Sequence, residues 1–137
     1  MPPARRFTPA RDWKDDRHRL GLRGERLALA FLASCGWAIE AHRFRVGRHD
    51  VDLVVRRGNL VAFVEVKTRR SVACGSGVEA VGRHKQRVLQ RAAALWALRR
   101  GRPGDVYRFD LVAVLDRPGS PVIEHIPDAW RPMSHPG

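Results

Sequence analysis

The sequence DVDLVVRRGNLVAFVEVKTRR occupies residues 50–70 and determines the architecture of the chain. Two runs rich in Val and Leu lie on either side of Gly58-Asn59, a pattern typical of a β-hairpin with a tight turn. If the turn contains only these two residues, Arg57 faces Leu60 and the rest of the pairing follows from that one contact. A four-residue loop preserves this register, whereas an odd loop shifts it by one residue.

Charged residues interrupt the apolar pattern of this hairpin. Counting outward from the turn, Asp52 faces Glu65 and Asp50 faces Lys67. Because successive side chains of a strand point to opposite sides, these four residues share one face. The other face is the predicted core side, and it carries Val51, Leu53, Val55, Ala62, Val64 and Val66.

Two carboxylates placed opposite each other repel, and a divalent cation that binds both removes the repulsion. Mg²⁺ prefers oxygen ligands of this kind. Lys67 projects from the same face, where its ammonium could orient a water molecule or stabilise charge on a phosphate. The alternative is a solvated polar face of an edge hairpin, with Lys67 paired to Glu65 or Asp50.

The flanking sequence predicts a single α/β domain over residues 17–130, with a central mixed β-sheet flanked by helices. A mobile basic tail (1–16) and a frayed C-terminal tail (131–137) are expected at the ends. Asp110 interrupts an apolar strand and is interpreted as structural. Hydrophobic periodicity predicts helices over 17–35 and 83–100 and further strands over 37–45, 106–115 and 121–126.

Composition indicates a globular protein with a polyanionic partner. The chain has 137 residues, 44% of them hydrophobic, and a formal net charge of +12. Such an excess favours nucleic acid, while a basic surface without that role remains the alternative. The two cysteines and six histidines lack zinc-ligand spacing. No apolar run is long enough to span a membrane, and a cytoplasmic protein without membrane association is expected.

The second predicted helix carries a basic stripe. Residues 82–102 contain seven Lys or Arg residues and no acid. His84, Arg87 and Arg91 recur at a spacing that places them along one side of a helix. The predicted nucleic-acid contacts are Arg69, Arg70, His84, Lys85, Arg87 and Arg91.

Asp52 followed by Glu65-Val66-Lys67 resembles the PD-(D/E)xK nuclease signature, and the chain as a whole resembles the bacterial YraN family. That family is similar to archaeal Holliday junction resolvases and other restriction-endonuclease-like proteins. The matching residues extend from Gly24-Glu25 through the hairpin to Arg108-Phe109-Asp110 and Glu124-His125-Ile126.

The resemblance implies a restriction-endonuclease-like core and Mg²⁺- or Mn²⁺-dependent endonuclease chemistry on DNA. Asp52 and Glu65 would bind the metal, with the Val66 carbonyl as a further ligand. Lys67 would orient the attacking water, and Glu25 would add a carboxylate from the first helix. Junction-resolving relatives act as dimers, so a homodimer is one arrangement that the resemblance leaves open.

The chain departs from the family pattern just before Asp52. The family usually has Gly-Glu-Ile-Asp, whereas this sequence has His49-Asp50-Val51-Asp52. Asp50 is one methylene shorter than Glu, which leaves its contact with a metal open. Two alternatives to a nuclease therefore stand: a catalytically silent nucleic-acid-binding module, or a basic domain that binds an acidic protein partner.

Overall fold

A computed structural model describes residues 10–70, 82–129 and 131, with side chains described from Arg19 onward. The described chain forms one five-stranded mixed sheet in the order β1-β2-β3-β4-β5, and the predicted α/β fold is confirmed. The elements are α1 (Ala10–Ser34), β1 (Ala38–Val46), β2 (His49–Arg57), β3 (Leu60–Arg69), α2 (Arg83–Arg100), β4 (Val106–Leu115) and β5 (Val122–Ile126).

The β2–β3 hairpin has the register that the sequence predicts. Its antiparallel pairs run from Arg57–Leu60 next to the turn to Leu53–Val64. Gly58 has a φ of 61°, a conformation that a residue without Cβ adopts at little cost. The turn therefore contains only two residues, and the predicted pairing holds as far as Leu53–Val64.

A parallel connection places α2 on the sheet. β3 and β4 pair in parallel along their full length, and α2 makes the crossover between them. The antiparallel strands β1 and β5 form the two edges. The carboxylate-bearing strands β2 and β3 consequently lie inside the sheet, which rules out the edge hairpin considered from the sequence.

Both faces of the sheet are buried, so the prediction of a single core side was wrong. One core packs α1 against β2, β3 and β4, and the other packs α2 against the opposite face. Val54 and Phe63, on the face expected to be charged, are fully buried beneath α2. Val51 joins this second core as well, contrary to the prediction.

The first helix begins earlier than its apolar pattern suggests. α1 starts at Ala10 rather than at residue 17, so part of the predicted tail is helical. Residues 1–9 and 132–137 of the predicted tails lie outside the described residues. The helix approaches β3 closely at Gly24, where an added Cβ would clash with the Thr68 side chain. Glycine at this position therefore sets the distance between α1 and the strand of Glu65.

A buried ion-pair network holds the turn end of the hairpin. The Arg56 guanidinium donates to both Asp105 carboxylate oxygens at 2.7 and 2.9 Å and to Glu40 Oε1 at 2.7 Å. These bonds connect β2 to β1 and to the segment before β4.

None of the described helices is long and apolar enough to cross a membrane.

Candidate metal and nucleic-acid site

Asp52 and Glu65 lie next to each other where strand pairing is interrupted. The β2–β3 register ends at Leu53–Val64, one position before the two acids. On the β1 side, the residue opposite Asp52 is Arg43, which has a φ of 59° and does not appear in the register. This left-handed conformation is uncommon for a residue that has a side chain. The interruption gives the acids space that a regular sheet would fill with main-chain hydrogen bonds.

The carboxyl groups of Asp52 and Glu65 are neighbours, and each affects the pKa of the other. In addition, the Val66 amide donates to Asp52 Oδ2 at 2.8 Å, which fixes the Asp52 side chain against β3.

Burial and mutual repulsion disfavour the ionised forms of both acids. Glu65 is 3% exposed, and desolvation together with the charge of Asp52 raises the pKa of its carboxyl well above the usual value. Desolvation also raises the pKa of Asp52, although the hydrogen bond from Val66 opposes the shift. Such a pair is electrostatically suited to receive a cation.

Lys85 of α2 lies within this site. Its Nζ is 3.1 Å from Glu65 Oε1 and donates a hydrogen bond to the Asp50 carbonyl oxygen at 3.1 Å. The sequence grouped Lys85 with the phosphate-binding residues. The structure instead places its ammonium against Glu65, where it partly offsets the raised pKa.

The donor atoms fit a divalent cation. Glu65 Oε1 is fully buried and accepts no hydrogen bond of regular geometry, although Lys85 is close. A buried carboxylate oxygen without such a bond is costly, and a cation would satisfy it. Among the described residues, no group of three or more His, Cys, Asp or Glu could hold a metal. A cation bound by Asp52 and Glu65 would thus need other ligands, such as the predicted Val66 carbonyl, water or a phosphate.

Glu25 is close to the acid pair but is bonded elsewhere. Its Oε2 accepts hydrogen bonds from Arg43 Nη2 at 3.1 Å and Nε at 3.3 Å, and it lies 3.2 Å from His42 Nε2. Its negative charge contributes to the raised pKa of Asp52. Glu25 thus acts on the pair through its charge, while its own carboxylate is held by β1.

Lys67 is half-buried on β3, two residues beyond Glu65, and makes no ion pair with any described residue. Its neighbour Val66 packs its side chain against the core beneath α1. The role predicted for Lys67 remains a prediction. Whether the Val66 carbonyl binds a metal remains a prediction.

The predicted nucleic-acid contacts occupy two elements. On α2, His84, Arg87 and Arg91 are exposed, and the His84 ring packs edge-on against His49 at 4.9 Å between centroids. At the end of β3, Arg70 is exposed and Arg69 is half-buried. Each element also contributes a residue to the acid site, Lys85 from α2 and Glu65 from β3.

Sequence reasoning missed the cations that hold the acids. The contact of Lys85 with Glu65 depends on how α2 docks, and helical spacing alone does not reveal that. Arg43 and His42 contact Glu25 at the point in β1 where Arg43 itself has the left-handed conformation. A non-glycine residue in that conformation has no signature in a single sequence.

Comparison with known proteins shows the family of this chain. Residues 24–114 match the model of the uncharacterised protein family UPF0102. A UPF0102 protein of Anaeromyxobacter dehalogenans is 44% identical over 123 residues, covering 90% of this chain and 92% of the relative. Another, from Nocardia farcinica, is 42% identical over 112 residues, covering 81% and 88%. A third, from Geotalea uraniireducens, is 40% identical over 116 residues, covering 84% and 91%.

The matched range contains Glu25, Asp52, Glu65, Lys67 and Lys85, so the candidate site lies entirely within the shared region. These relatives are similar over most of their own length as well as over most of this chain. The chain therefore belongs to the UPF0102 family, which is the YraN family that its sequence resembles.

Proposed function

We propose that this protein is a metal-dependent nuclease that hydrolyses phosphodiester bonds in DNA. The observation that carries the proposal is the pairing of half-buried Asp52 with buried Glu65, one of whose carboxylate oxygens lacks a regular hydrogen bond. A protein under selection for stability alone gains nothing from such a pair inside its sheet. A site that must bind a cation and a phosphate gains both ligands and space from it.

Asp52 and Glu65 would hold Mg²⁺ or Mn²⁺. The cation, when bound, would supply Lewis acidity toward the phosphodiester and the water that attacks it. Lys67 would orient that water and stabilise negative charge on the phosphate, because the residue is half-buried and makes no ion pair with the described residues. Glu25 would fix Arg43 and His42 on the β1 side of the site.

The exposed basic residues support a nucleic-acid substrate. Arg87 and Arg91 project from α2, whose described residues contain no acid, and Arg70 lies at the end of β3. Phosphate contacts from such residues fix the orientation of a strand without reading its sequence. DNA in a branched or otherwise structured form is the substrate class that the resemblance favours.

The test is a cleavage assay on labelled single-stranded, duplex, flap and four-way-junction DNA with Mg²⁺, Mn²⁺ or EDTA. Glu65→Gln and Lys67→Met should abolish cleavage that depends on metal. Glu124→Gln is a matched control, because Glu124 is an exposed acid on β5 and should leave cleavage unchanged. Cleavage that survives both site variants would show that the assigned site is not responsible.

A specific contact favours a second candidate, the catalytically silent nucleic-acid-binding module. Lys85 already places a positive charge 3.1 Å from Glu65 Oε1, as expected where an ammonium replaces a metal. This candidate predicts DNA binding that is the same in EDTA and in Mg²⁺, with no cleavage of any substrate. Metal-dependent cleavage that Glu65→Gln abolishes would exclude it.

A further inference from the structure

A groove lined by arginines lies beside α1, past the end of β3 that follows Glu65. Its volume is about 420 Å³, and its lining includes Arg23 of α1, Arg70 directly after β3, and Asp116 and Arg117 directly after β4. Arg23 and Arg117 belong to none of the predicted nucleic-acid contacts. The groove thus adds basic residues from two further segments of the chain.

Main-chain contacts hold these segments together. The Asp116 amide donates to the Arg69 carbonyl oxygen at 2.7 Å, so the chain after β4 lies against the end of β3. The close approach of Gly24 to Thr68 brings the adjacent Arg23 to the same place. The positions of the arginines are therefore set by the packing of the fold.

Two of the arginines are oriented through Nε. Arg23 Nε lies 2.8 Å from Asp116 Oδ2, and Arg117 Nε donates to the Ser120 carbonyl oxygen at 3.2 Å. A guanidinium has five N–H donors, so bonds at Nε leave the Nη nitrogens able to bind a ligand. Three arginines against Asp116 leave a net charge of +2 in the groove. Exposed Arg19 and Arg26 border the neighbouring surface of α1.

We propose that Arg23, Arg70 and Arg117 form a phosphate-binding site for the backbone of a nucleic acid. Guanidinium groups bind phosphate through paired hydrogen bonds, and three of them around one groove suit a single phosphate group. Arg70 is five residues beyond Glu65 along β3, a distance of about 17 Å for an extended chain. That distance equals roughly five base-pair steps of a duplex.

This inference rests on the proposed nucleic-acid substrate but not on cleavage. It assigns a path to that substrate: one backbone segment contacts the carboxylate pair, and a second lies in the arginine groove beside α1. The stripe on α2 then contacts the substrate separately, because α1 and α2 cover opposite faces of the sheet.

The test measures binding of a labelled DNA duplex in EDTA, between about 50 and about 200 mM KCl. Arg70→Gln/Arg117→Gln removes two groove charges and leaves the Arg23–Asp116 pair intact. Arg99→Gln/Arg102→Gln removes two exposed charges, one in the last turn of α2 and one shortly after the helix, and is the matched control. Arg70→Lys/Arg117→Lys keeps the charge, and equal urea midpoints establish that all the proteins are folded.

The dependence of log K on log[KCl] should become shallower by about 0.9 for each lost phosphate contact in the groove variant. The control and the lysine variant should keep most of the wild-type slope. An unchanged slope in the groove variant would overturn the proposal, as would an equal loss in the control or a wild-type protein that binds no DNA. Binding with the expected slopes but without cleavage in Mg²⁺ would support this site and contradict only the nuclease.

Discussion

Two buried acids of this protein differ in how completely they are hydrogen-bonded. Asp110 accepts two hydrogen bonds of 2.8 Å from Arg108 and one of 3.0 Å from the Asp128 amide, and it lies 2.7 Å from His125 Nε2. Glu65, in contrast, has a buried oxygen without a regular hydrogen bond. Complete pairing agrees with the structural role predicted for Asp110, and incomplete pairing distinguishes Glu65 as a candidate for chemistry.

Asp110→Asn should destabilise the protein by about 3 kcal/mol at neutral pH, because it leaves Arg108 partly buried without its carboxylate. Burial alone would raise the pKa of Asp110, but the bonds from His125, Arg108 and Asp128 together hold it below the ordinary 3.8. The stabilisation is therefore present above that value and is lost as pH falls through the pKa of the folded state. Urea unfolding across acidic pH should show this loss in the wild type and not in the variant, whereas parallel curves would contradict it.

Glu65→Gln should change the pH dependence of stability in the opposite sense. The folded structure raises the pKa of Glu65 above its ordinary value of 4.5. At a pH between 4.5 and this raised pKa, the folded state holds a proton that the unfolded state lacks. Stability in EDTA should consequently fall as pH rises through this window, and Gln, which stays neutral, should remove the fall. Urea unfolding from about pH 5 to about pH 9 measures it, with Glu124→Gln as the control. A wild type whose stability does not fall relative to Glu65→Gln would refute the assignment.

At the scale of the secondary-structure elements, two glycines of α1 provide a matched pair. Gly24→Ala should destabilise the protein by about 1–3 kcal/mol, because the new Cβ would clash with Thr68 Oγ1 and the helix would have to move away from β3. Gly21→Ala meets no atom within 4 Å and should stabilise the helix by about 0.5–1 kcal/mol. Chemical denaturation of both variants measures the two changes in stability. Equal changes would show that Gly24 does not set the distance between α1 and β3.

Trp96 is the largest fully buried side chain of α2. This residue is 1% exposed and makes edge-on contacts with Phe44 at 5.1 Å and Phe63 at 6.3 Å between ring centroids. Trp96→Ala should destabilise the protein by about 3–5 kcal/mol, whereas Leu98→Ala, at a side chain 85% exposed, should have an effect near zero. Thermal and urea unfolding measure the stability of both variants. An equal stability of the two would contradict the importance of Trp96 for packing α2 on the sheet.

The hairpin shows which part of the site could be predicted from sequence. A two-residue turn and strict alternation fix which residues face each other, so the neighbouring positions of Asp52 and Glu65 followed from counting. Alternation does not tell whether the second face is covered, and α2 buries Val54 and Phe63 there. The predicted start of α1 at residue 17 was wrong for a related reason: residues 10–16 are helical but lack the apolar periodicity on which the prediction relied.

The charge of the whole molecule should affect its stability as well as its partners. With a net charge of +12, repulsion among unpaired arginines opposes the compact state when salt is low. Increasing ionic strength from about 0.01 M to about 0.15 M shortens the screening length from about 30 Å to about 8 Å. Buried pairs such as Arg56–Asp105 are screened less. The urea midpoint at neutral pH should therefore rise over this range, and a fall would mean that exposed ion pairs outweigh the repulsion.

The parallel pairing of β3 with β4 has a consequence for the order of folding. Paired residues of β2 and β3 are at most 11 positions apart in sequence, whereas every β3–β4 pair is separated by 46. Closing the longer loop costs more chain entropy, so we expect the β2–β3 hairpin to form before β4 docks. Asp52 and Glu65 would then meet early, while water still surrounds them, and would lose that water only when α2 closes over the sheet. The energetic cost of the site would accordingly fall on the last steps of folding, where it accelerates unfolding more than it slows folding.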